Sequence, residues 1–313
     1  MGQAFGSLPQ FKPIERAGCQ AEECNMKSNY RIAHFSDFHL SDTGKEFERA
    51  SRLLRDAIEF GVDHIVITGD VVDAAQTGII KTLWGRLRRW GWTSAARMTF
   101  APGNHDIFPV TKQFPYYTWG RPTKHFERLC ELTRSCRRGQ GVQAPDNPYP
   151  SAKVLSPAVV LVALDSTRNH EQLPFRWAEG ELPSSDRRTV SALFQQHLHK
   201  PHRIVAMHHT PCEVQSESQH FNMNFAVPSP GTVQRWLERC GATLVLCGHV
   251  HGEVFREKLG RKCWVLTAGT AGGVDDEDCP DKAMRTYHII ECLPNGRVRF
   301  IHRSFRGCEL DET

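Results

Sequence analysis

Polar residues of the types that bind metal ions recur in five short blocks along this sequence. Each block comes directly after a short apolar run that predicts a β-strand. Carboxylates, imidazoles and one amide are donors that divalent ions accept in proteins. Two ions held side by side would activate water and neutralise phosphate charge, so the pattern indicates hydrolysis of a phosphate ester. In chain order the blocks are Asp37-Phe38-His39, Asp70, Asn104-His105-Asp106, His208 and Gly248-His249-Val250-His251.

The elements that must position these blocks are strands whose carboxyl ends meet at one edge, where open α/β sheets place their active sites. Asp37 and His39 are two residues apart on a chain leaving a strand, so both can turn toward one site. Asp70 follows Gly69, which permits a close backbone approach, and it suits a bridging carboxylate. Asn104 would add a neutral amide oxygen. The other candidate ligands are His208, His249 and His251.

The composition is that of a globular protein with an anionic substrate. The 313 residues are 40% hydrophobic, enough for one large domain, and the net charge is +4. That charge is too small for the basic footprint of a nucleic-acid binder, so we expect a small-molecule phosphate ester as the partner. The 11 cysteines are scattered without a repeated spacing, which favours reduced thiols in a cytoplasmic protein over a disulfide framework.

The sequence gives little sign of a membrane. No apolar stretch approaches the ~20 residues that a membrane-spanning helix requires. The first residues lack the apolar core of a secretory signal. Gly2 follows Met1, but Ser7 stands one place later than the N-myristoylation motif requires, so acylation is not expected. Peripheral contact with a membrane stays open as an alternative.

One large domain is predicted over residues 30–304, preceded by an arm at 1–29 and followed by a tail at 305–313. The strand signals are continuous apolar runs, which are typical of strands covered on both faces. They lie at about 30–36, 63–68, 97–101, 158–164, 203–208, 242–247 and 263–268, with a final hairpin at about 284–291 and 297–304. Helices are predicted from a Thr43/Glu46 capping box to Gly61 and at about 77–90, 123–137, 184–199 and 231–240.

Residues 107–152 interrupt this order with a stretch rich in aromatic and basic side chains. Connections this long inside a domain are usually functional or mobile. Two interpretations stay open: a cap over the site that brings cations to a second phosphate, or an ordinary helix with its charges facing solvent. A second, shorter loop is predicted from Pro211 to Pro230.

The five blocks match, in order, the pattern D-x-H, G-D, G-N-H-[DE], H and G-H-x-H, and the chain therefore resembles the calcineurin-like metallophosphoesterase superfamily. Ala163-Leu164-Asp165-Ser166 and His208-His209-Thr210-Pro211 resemble stretches of its class III cyclic-nucleotide-phosphodiesterase-like branch. The resemblance implies an α/β fold, a four-layer αββα sandwich in which two mixed sheets are flanked by helices.

The resemblance also implies a cofactor of two divalent metal ions, and mixed oxygen and nitrogen ligands suit Mn, Fe or Zn. His208 and His209 compete for one ligand position, because adjacent side chains on a strand face opposite ways, and the family pattern favours His208. The implied ligands are Asp37, His39, Asp70 and His251 for the first ion, and Asp70, Asn104, His208 and His249 for the second, with Asp70 as the bridge.

The mechanism implied is attack by a hydroxide that bridges two cations about 3.5–4 Å apart. His105 would face the substrate, stabilise the transition state and protonate the leaving group. Asp106 would either orient His105 or cap the following turn. Asp73 is interpreted as a support for the ligands or a helix cap rather than as a ligand.

The expected substrate contains a phosphodiester or pyrophosphate bond in a small molecule, such as a nucleotide or a nucleotide conjugate. If the 107–152 insert presents an apolar surface to a membrane, a pyrophosphatase for the lipid A precursor UDP-2,3-diacylglucosamine is the alternative. Protein Ser/Thr phosphatases of the superfamily carry Arg and Glu where this chain has Ala74 and Asp106. A phosphomonoesterase, a DNA-repair nuclease and a non-catalytic scaffold are less favoured.

Overall fold

Two six-stranded sheets lie face to face, each with helices on its outer side. Continuous apolar runs form the central strands because both faces of each strand are covered. The computed structural model describes residues 29–108, 122–137, 148–167, 179–212, 230–251, 255–272, 285–306 and 309–311.

The first sheet places three parallel strands beside an antiparallel set from the end of the chain. In spatial order its strands are β12 (Glu309–Asp311), β11 (Val298–Arg306), β10 (Arg285–Cys292), β1 (Tyr30–Phe35), β2 (His64–Ile67) and β3 (Met98–Phe100). The strands β1, β2 and β3 run parallel, so their carboxyl ends reach the same edge.

The second sheet repeats this plan with a parallel centre and antiparallel edges. Its strands, in spatial order, are β4 (Ser151–Val154), β5 (Val159–Ala163), β6 (His202–Ala206), β7 (Leu244–Cys247), β9 (Cys263–Thr267) and β8 (Phe255–Leu259). The parallel pairs β5–β6 and β6–β7 direct their carboxyl ends to one edge, as in the first sheet.

Helices cover the outer face of each sheet. Buried side chains of α1 and α2 pack on the first sheet, and those of α6 and α7 pack on the second. A third apolar cluster, which includes Ile32, Ile204 and Leu246, lies between the sheets. The predicted four-layer sandwich is thus confirmed. The helices are α1 (Lys45–Glu59), α2 (Thr77–Arg89), α3 (Asn104–Ile107), α4 (Pro122–Leu132), α5 (Arg134–Arg137), α6 (Ser184–Gln196) and α7 (Pro230–Cys240).

The start of α1 differs from the prediction. The Thr43/Glu46 capping box is wrong, because the helix begins at Lys45 and has no side-chain cap. The Glu46 carboxylate instead accepts a hydrogen bond at 2.8 Å from the guanidinium of Arg285, which is buried and needs an acidic partner.

The strands that the sequence did not predict are β4, β8 and β12. The strand β8 reads FREKL, and its charged residues hide it from a search for apolar runs. The strand β12 lies within the predicted tail, where it pairs with β11, and β11 itself runs to Arg306. The last strand of the sheet therefore lies beyond residue 304.

The described part of the insert packs on the body of the protein. Leu129 of α4 and Cys136 of α5 are buried in the cluster that covers the first sheet. Lys124 and Arg128 are exposed, as an ordinary helix with its charges outward requires. Residues 109–121 and 138–147 of the insert, residues 1–28 of the arm and residues 213–229 of the second loop lie outside the described residues.

Two further features bear on the expectations. The cysteines within the described residues are free thiols, and most are buried: Cys130, Cys136, Cys212, Cys240, Cys247, Cys263 and Cys292. Among the helices that the structure describes, none has the length and apolarity needed to cross a membrane.

Candidate metal centre

The predicted ligands converge at the edge where the parallel strands of both sheets end. The first sheet contributes residues that follow β1, β2 and β3, and the second sheet contributes residues that follow β6 and β7. All seven predicted metal ligands belong to this convergence: Asp37, His39, Asp70, Asn104, His208, His249 and His251.

A first group of donors contains Asp37, His39, Asp70 and His251, whose ligand atoms all lie within 4.8 Å of one another. The Nε2 atoms of His39 and His251 are 2.8 Å apart. His39 Nε2 is also 3.7 Å from Asp37 Oδ1 and 3.8 Å from Asp70 Oδ2. These are the four residues implied for the first ion.

A second group surrounds His208, which is fully buried. Its Nε2 atom lies 3.1 Å from Asp70 Oδ2, 3.0 Å from Asn104 Oδ1 and 3.1 Å from His249 Nδ1. These are the four residues implied for the second ion.

The Asp70 carboxylate faces both groups. Its Oδ1 atom accepts the backbone N–H of His105 at 2.8 Å, whereas its Oδ2 atom lies 3.1 Å from His208 Nε2 and 3.8 Å from His39 Nε2. A buried carboxylate oxygen needs donors or cations around it. Oxygen and nitrogen donors that crowd together around such an atom fit a metal ion, because a cation would satisfy all of them at once.

Two of the imidazoles, those of His39 and His208, balance the negative charge of the buried carboxylates. Burial opposes ionisation of Asp70, but the charges of His208 and His105 outweigh it and hold the pKa of this carboxyl well below its usual range. Burial likewise lowers the pKa of His39, yet hydrogen bonds to Asp37 and Asp73 raise it to about 10. Burial also lowers the pKa of His208, but the charge of Asp70 outweighs burial and raises that pKa to about 9.

The other two imidazoles behave in the opposite way. Desolvation lowers the pKa of His251 to about 4 and holds that of His249 well below its usual range. Protonated His39 and His208 therefore stand beside the buried carboxylates as cations. A divalent ion would displace those protons and supply the same charge.

Several ligands have a left-handed backbone. The φ angles of Asp37, His39, Asp70 and His249 are +56°, +46°, +50° and +73°, a region that non-glycine residues seldom occupy. Strain of this kind persists where surrounding contacts enforce it, and such positions cluster at functional sites. Here the amide of His39 donates to the Asp70 carbonyl at 3.0 Å, and the amide of His249 donates to Asp37 Oδ2 at 3.0 Å.

Glycine permits the loops to approach this closely. A Cβ atom on Gly69, whose φ is +89°, would lie 2.4 Å from the backbone nitrogen of Gly103. A Cβ atom on Gly103 would lie 2.1 Å from Asp70 Oδ1. Both positions are closed to any other residue, which confirms the role predicted for Gly69.

Hydrogen bonds on the far side of two rings set which nitrogen faces the centre. His208 Nδ1 donates to the carbonyl oxygen of Thr68 at 2.7 Å, and His39 Nδ1 lies 3.5 Å from Asp73 Oδ1. A proton held at Nδ1 leaves the Nε2 lone pair directed at a metal ion. The orientation thus fits metal binding by both Nε2 atoms.

The Asp106 carboxylate is bonded to backbone amides and not to the His105 ring. The buried Asp106 carboxylate accepts backbone N–H groups from Gly103 at 3.0 Å, Val71 at 2.9 Å and Val72 at 3.2 Å. It therefore does not orient the His105 ring. It caps the turn of α3, where it accepts the N–H of the N-cap residue Gly103, and it joins the two ligand loops. Burial and the Asp70 charge raise the pKa of Asp106 to about 7.

The His105 ring is oriented from the loop that follows Asp70. Its Nδ1 atom donates to the backbone carbonyl of Asp73 at 2.7 Å, and the Asp73 carboxylate lies 3.8 Å from the same nitrogen. The ring meets that of His39 edge-on, with centroids 4.7 Å apart. His105 therefore lies at the rim of the first group.

The expectation that His209 faces away from the centre is wrong. Strand β6 ends at Ala206, so the alternation of a strand no longer applies at His208 and His209. Both rings are fully buried, and a nitrogen of His209 lies within 4.8 Å of the ligand nitrogens of His208 and His249. His209 Nδ1 is 2.8 Å from the hydroxyl of Ser166.

Sequence reasoning assigned no role to Thr68 or Ser166. Thr68 acts through its backbone carbonyl, which no sequence pattern reveals. Ser166 follows β5 at the same edge as the ligand blocks, so its position at a strand end was the available signal.

Comparisons with known proteins identify the family and the fold. The family model for calcineurin-like phosphoesterases matches residues 30–253, and the chain belongs to that family, whose members hydrolyse phosphoric esters. The comparison with curated proteins gave no match.

Solved structures share the fold at low identity. A dimetal phosphatase from Danio rerio is 12% identical, with a TM-score of 0.61 over 90% of this chain and 98% of that chain. TT1561 of Thermus thermophilus is 14% identical, with a TM-score of 0.51 over 87% and 98%. Purple acid phosphatase PPD1 from yellow lupin is 10% identical, with a TM-score of 0.54 over 91% and 53%.

Proposed function

We propose that this protein uses two divalent metal ions to hydrolyse a phosphodiester or pyrophosphate bond in a small molecule, such as a nucleotide or a nucleotide conjugate. The observation that carries the proposal is the position of Asp70. Its Oδ2 atom lies 3.1 Å from His208 Nε2 in one donor group and 3.8 Å from His39 Nε2 in the other. A buried carboxylate in this position is suited to bridge two cations.

The donor set would hold the ions in two sites that share Asp70. Asp37, His39 and His251 complete the first site, and Asn104, His208 and His249 complete the second. Bound ions would lower the pKa of a water molecule and neutralise charge on the phosphoryl group. The mixture of carboxylate, amide and imidazole donors suits Mn, Fe or Zn.

His105 would protonate the leaving oxygen. With Nδ1 bonded to the Asp73 carbonyl, the Nε2 atom is the nitrogen left to face a substrate. The Asp73 carboxylate lies 3.8 Å from the same nitrogen and would help to hold the ring in this orientation. Asp106 would keep the two loops in register and would not contact the substrate.

The substrate class is chosen by setting aside the protein phosphatases, the nucleases and the lipid A precursor enzymes of the superfamily. Ala74 and Asp106 stand where protein phosphatases of the superfamily carry Arg and Glu, and the net charge of +4 is modest for a nuclease. The lipid A precursor gains no support from the described part of the insert, because Leu129 and Cys136 face the protein core.

A substrate panel tests the proposal. The purified chain, freed of metal by chelation and reloaded with one metal at a time, is assayed on a bis-aryl phosphodiester, an aryl phosphomonoester, nucleotide pyrophosphates and glycerophosphodiesters. We expect turnover of a diester or a pyrophosphate to exceed that of the monoester and to require added metal. Faster turnover of the monoester would overturn the substrate class, and metal-independent turnover would overturn the mechanism.

A further inference from the structure

The chain that follows β9 lies directly against the backbone of the Asp37 block. The Thr270 hydroxyl donates to the Asp37 carbonyl oxygen at 2.8 Å, and the Gly272 N–H donates to the same oxygen at 3.1 Å. The N–H of Ala271 donates to the Ser36 carbonyl oxygen at 3.0 Å. Three hydrogen bonds therefore tie residues 270–272, the buttress loop, to the first ligand block.

The buttress loop approaches so closely that one of its positions requires glycine. A Cβ atom on Gly272 would lie 1.6 Å from the Phe38 carbonyl oxygen and 2.3 Å from its carbonyl carbon. Phe38 stands between the ligands Asp37 and His39, whose φ angles are +56° and +46°. A left-handed backbone of this kind persists where surrounding contacts enforce it. The buttress loop supplies such contacts to the first donor group.

Arg285, at the start of β10, anchors the buttress loop. Its Nε atom donates to the Gly272 carbonyl oxygen at 3.0 Å, and its Nη2 atom donates to the Glu46 carboxylate of α1 at 2.8 Å. The Arg285 side chain is buried. A planar guanidinium can serve two acceptors at once because its N–H groups point in fixed, different directions. Arg285 therefore joins α1 to the loop that contacts Asp37.

We propose that Arg285 is a positioning residue for the first metal ion. It holds the Gly272 carbonyl, and through the buttress loop it keeps Asp37 and His39 in the backbone conformation that brings them to the first donor group. The inference rests on the proposed function. Groups that hold metal ligands in place from outside typically contribute roughly 10–100-fold to metal affinity.

Two substitutions isolate the hydrogen bond to Gly272. Arg285→Met and Arg285→Gln both remove the ion pair with Glu46. The glutamine amide nitrogen stands at the same place along the side chain as Nε and can still donate to the Gly272 carbonyl, whereas methionine has no donor there. A merely structural role of the ion pair would give both variants the same metal affinity.

Arg303→Met is the matched control for the loss of the ion pair. Arg303 is also buried, and it pairs at 2.9 Å with Asp56 of the same helix α1 from the neighbouring strand β11. Both methionine variants should therefore lower the melting temperature. A change in metal affinity should follow only from the one at Arg285.

Two backgrounds assign the effect to one ion. His208→Asn keeps the four donors of the first ion, and His251→Ala keeps those of the second. The Kd of Zn for the full chain is measured by competition with a chelator in each background. We expect Arg285→Met to weaken Zn binding about 10–100-fold in His208→Asn and to leave it unchanged in His251→Ala. Arg285→Gln should recover most of the affinity, and Arg303→Met should change neither Kd.

Three results would overturn the inference: equal weakening in the two backgrounds, no weakening in either, or the same Kd for Arg285→Met and Arg285→Gln. If Arg285→Met does not fold, Thr270→Val removes a hydrogen bond to Asp37 without changing any charge. That variant should weaken Zn binding about 2–10-fold in His208→Asn, and an unchanged Kd would overturn the inference. A wild-type chain that binds fewer than two Zn ions would instead refute the proposed function, so the two failures are distinguishable.

Discussion

The carbonyl oxygen of Thr68 accepts a hydrogen bond from Nδ1 of His208 at 2.7 Å, and this bond joins the loops of two separate sheets. Thr68 directly follows β2 in the first sheet, and His208 follows β6 in the second. Because Nδ1 donates to Thr68, Nε2 presents its lone pair to the second donor group. The same bond therefore holds the orientation of the His208 ring and ties the loop after β2 to the loop after β6.

Replacing the His208 ring should remove one metal ion and spare the other. In His208→Asn the amide can still donate to Thr68, but no atom occupies the position of Nε2. We expect about one bound metal per chain by elemental analysis, with the fold retained. His202→Asn is the matched control, because His202 also donates to a backbone carbonyl, that of Leu293 at 2.7 Å, and has no predicted metal role. Two metals in His208→Asn would contradict this ligand assignment.

Asp106→Asn should weaken the framework of the centre. The substitution exchanges one accepting oxygen for an NH2 group, so a buried backbone N–H of Gly103, Val71 or Val72 loses its acceptor. We expect the free energy of unfolding in urea to fall by about 1–3 kcal/mol.

The control for this change is Asp42→Asn. Asp42 accepts the backbone N–H of Gly44 at 2.7 Å, but it is exposed and water can replace the bond. We expect a change of less than about 0.5 kcal/mol there. Equal effects of the two substitutions would show that the Asp106 contacts contribute little.

Asp73→Asn should slow turnover without emptying the centre. The Asp73 carboxylate lies 3.5 Å from His39 Nδ1 and 3.8 Å from His105 Nδ1, where it orients one ligand and supports the proposed acid. Loss of such a support typically costs roughly 10–100-fold in activity or metal affinity. The prediction is a fall in kcat of that order at saturating Zn with two metals bound; wild-type kcat would contradict it.

The stability of the fold should decline in mild acid. His64 is buried between the Ala96 carbonyl and the Thr99 hydroxyl, to which Lys153 also donates. Burial first, and the Lys153 charge second, lower the pKa of His64 to about 3. Since the unfolded chain binds the proton first, the stabilisation is present above the ordinary pKa of about 6.5 and is lost as the pH falls toward 3.

Between pH 7 and pH 5 this single group should cost about 2 kcal/mol of the free energy of unfolding. Urea denaturation at the two pH values measures the total change, to which other buried histidines such as His288 add in the same direction. In His64→Asn the amide can keep the hydrogen bond to Ala96 but cannot titrate, so the change with pH should shrink. An undiminished change would contradict the role of His64.

Much of the fold and of the ligand set could be predicted because apolar runs and strand-end polar residues are local signals. Asp37, Asp70 and Asn104 each stand after such a run, and the structure brings them together. The strand β8 escaped because an edge strand tolerates charged residues on its exposed positions. Lys153 gave no signal either, since a lysine in the sequence reads as exposed, yet it is buried with backbone carbonyls of Met98 and Cys136 as acceptors.

The pairings of Asp106 and His209 depended on geometry beyond the sequence. Asp106 contacts backbone amides some 35 residues earlier in the chain, and only the approach of two loops creates those bonds. The orientation of His209 depends on where β6 ends, and the end of a strand is uncertain by a few residues in any sequence-based prediction.

The most direct measurement compares bound metal and hydrolysis of a bis-aryl phosphodiester in the wild type, Asp70→Ala and His302→Ala. His302 lies on β11, outside the donor groups. His302→Ala is therefore the control for replacing a polar side chain by alanine away from the metal centre. We predict that Asp70→Ala remains folded but loses hydrolysis and paired metal binding, whereas His302→Ala keeps both. Full hydrolysis by Asp70→Ala with two bound ions would contradict the bridging carboxylate on which the proposed function depends.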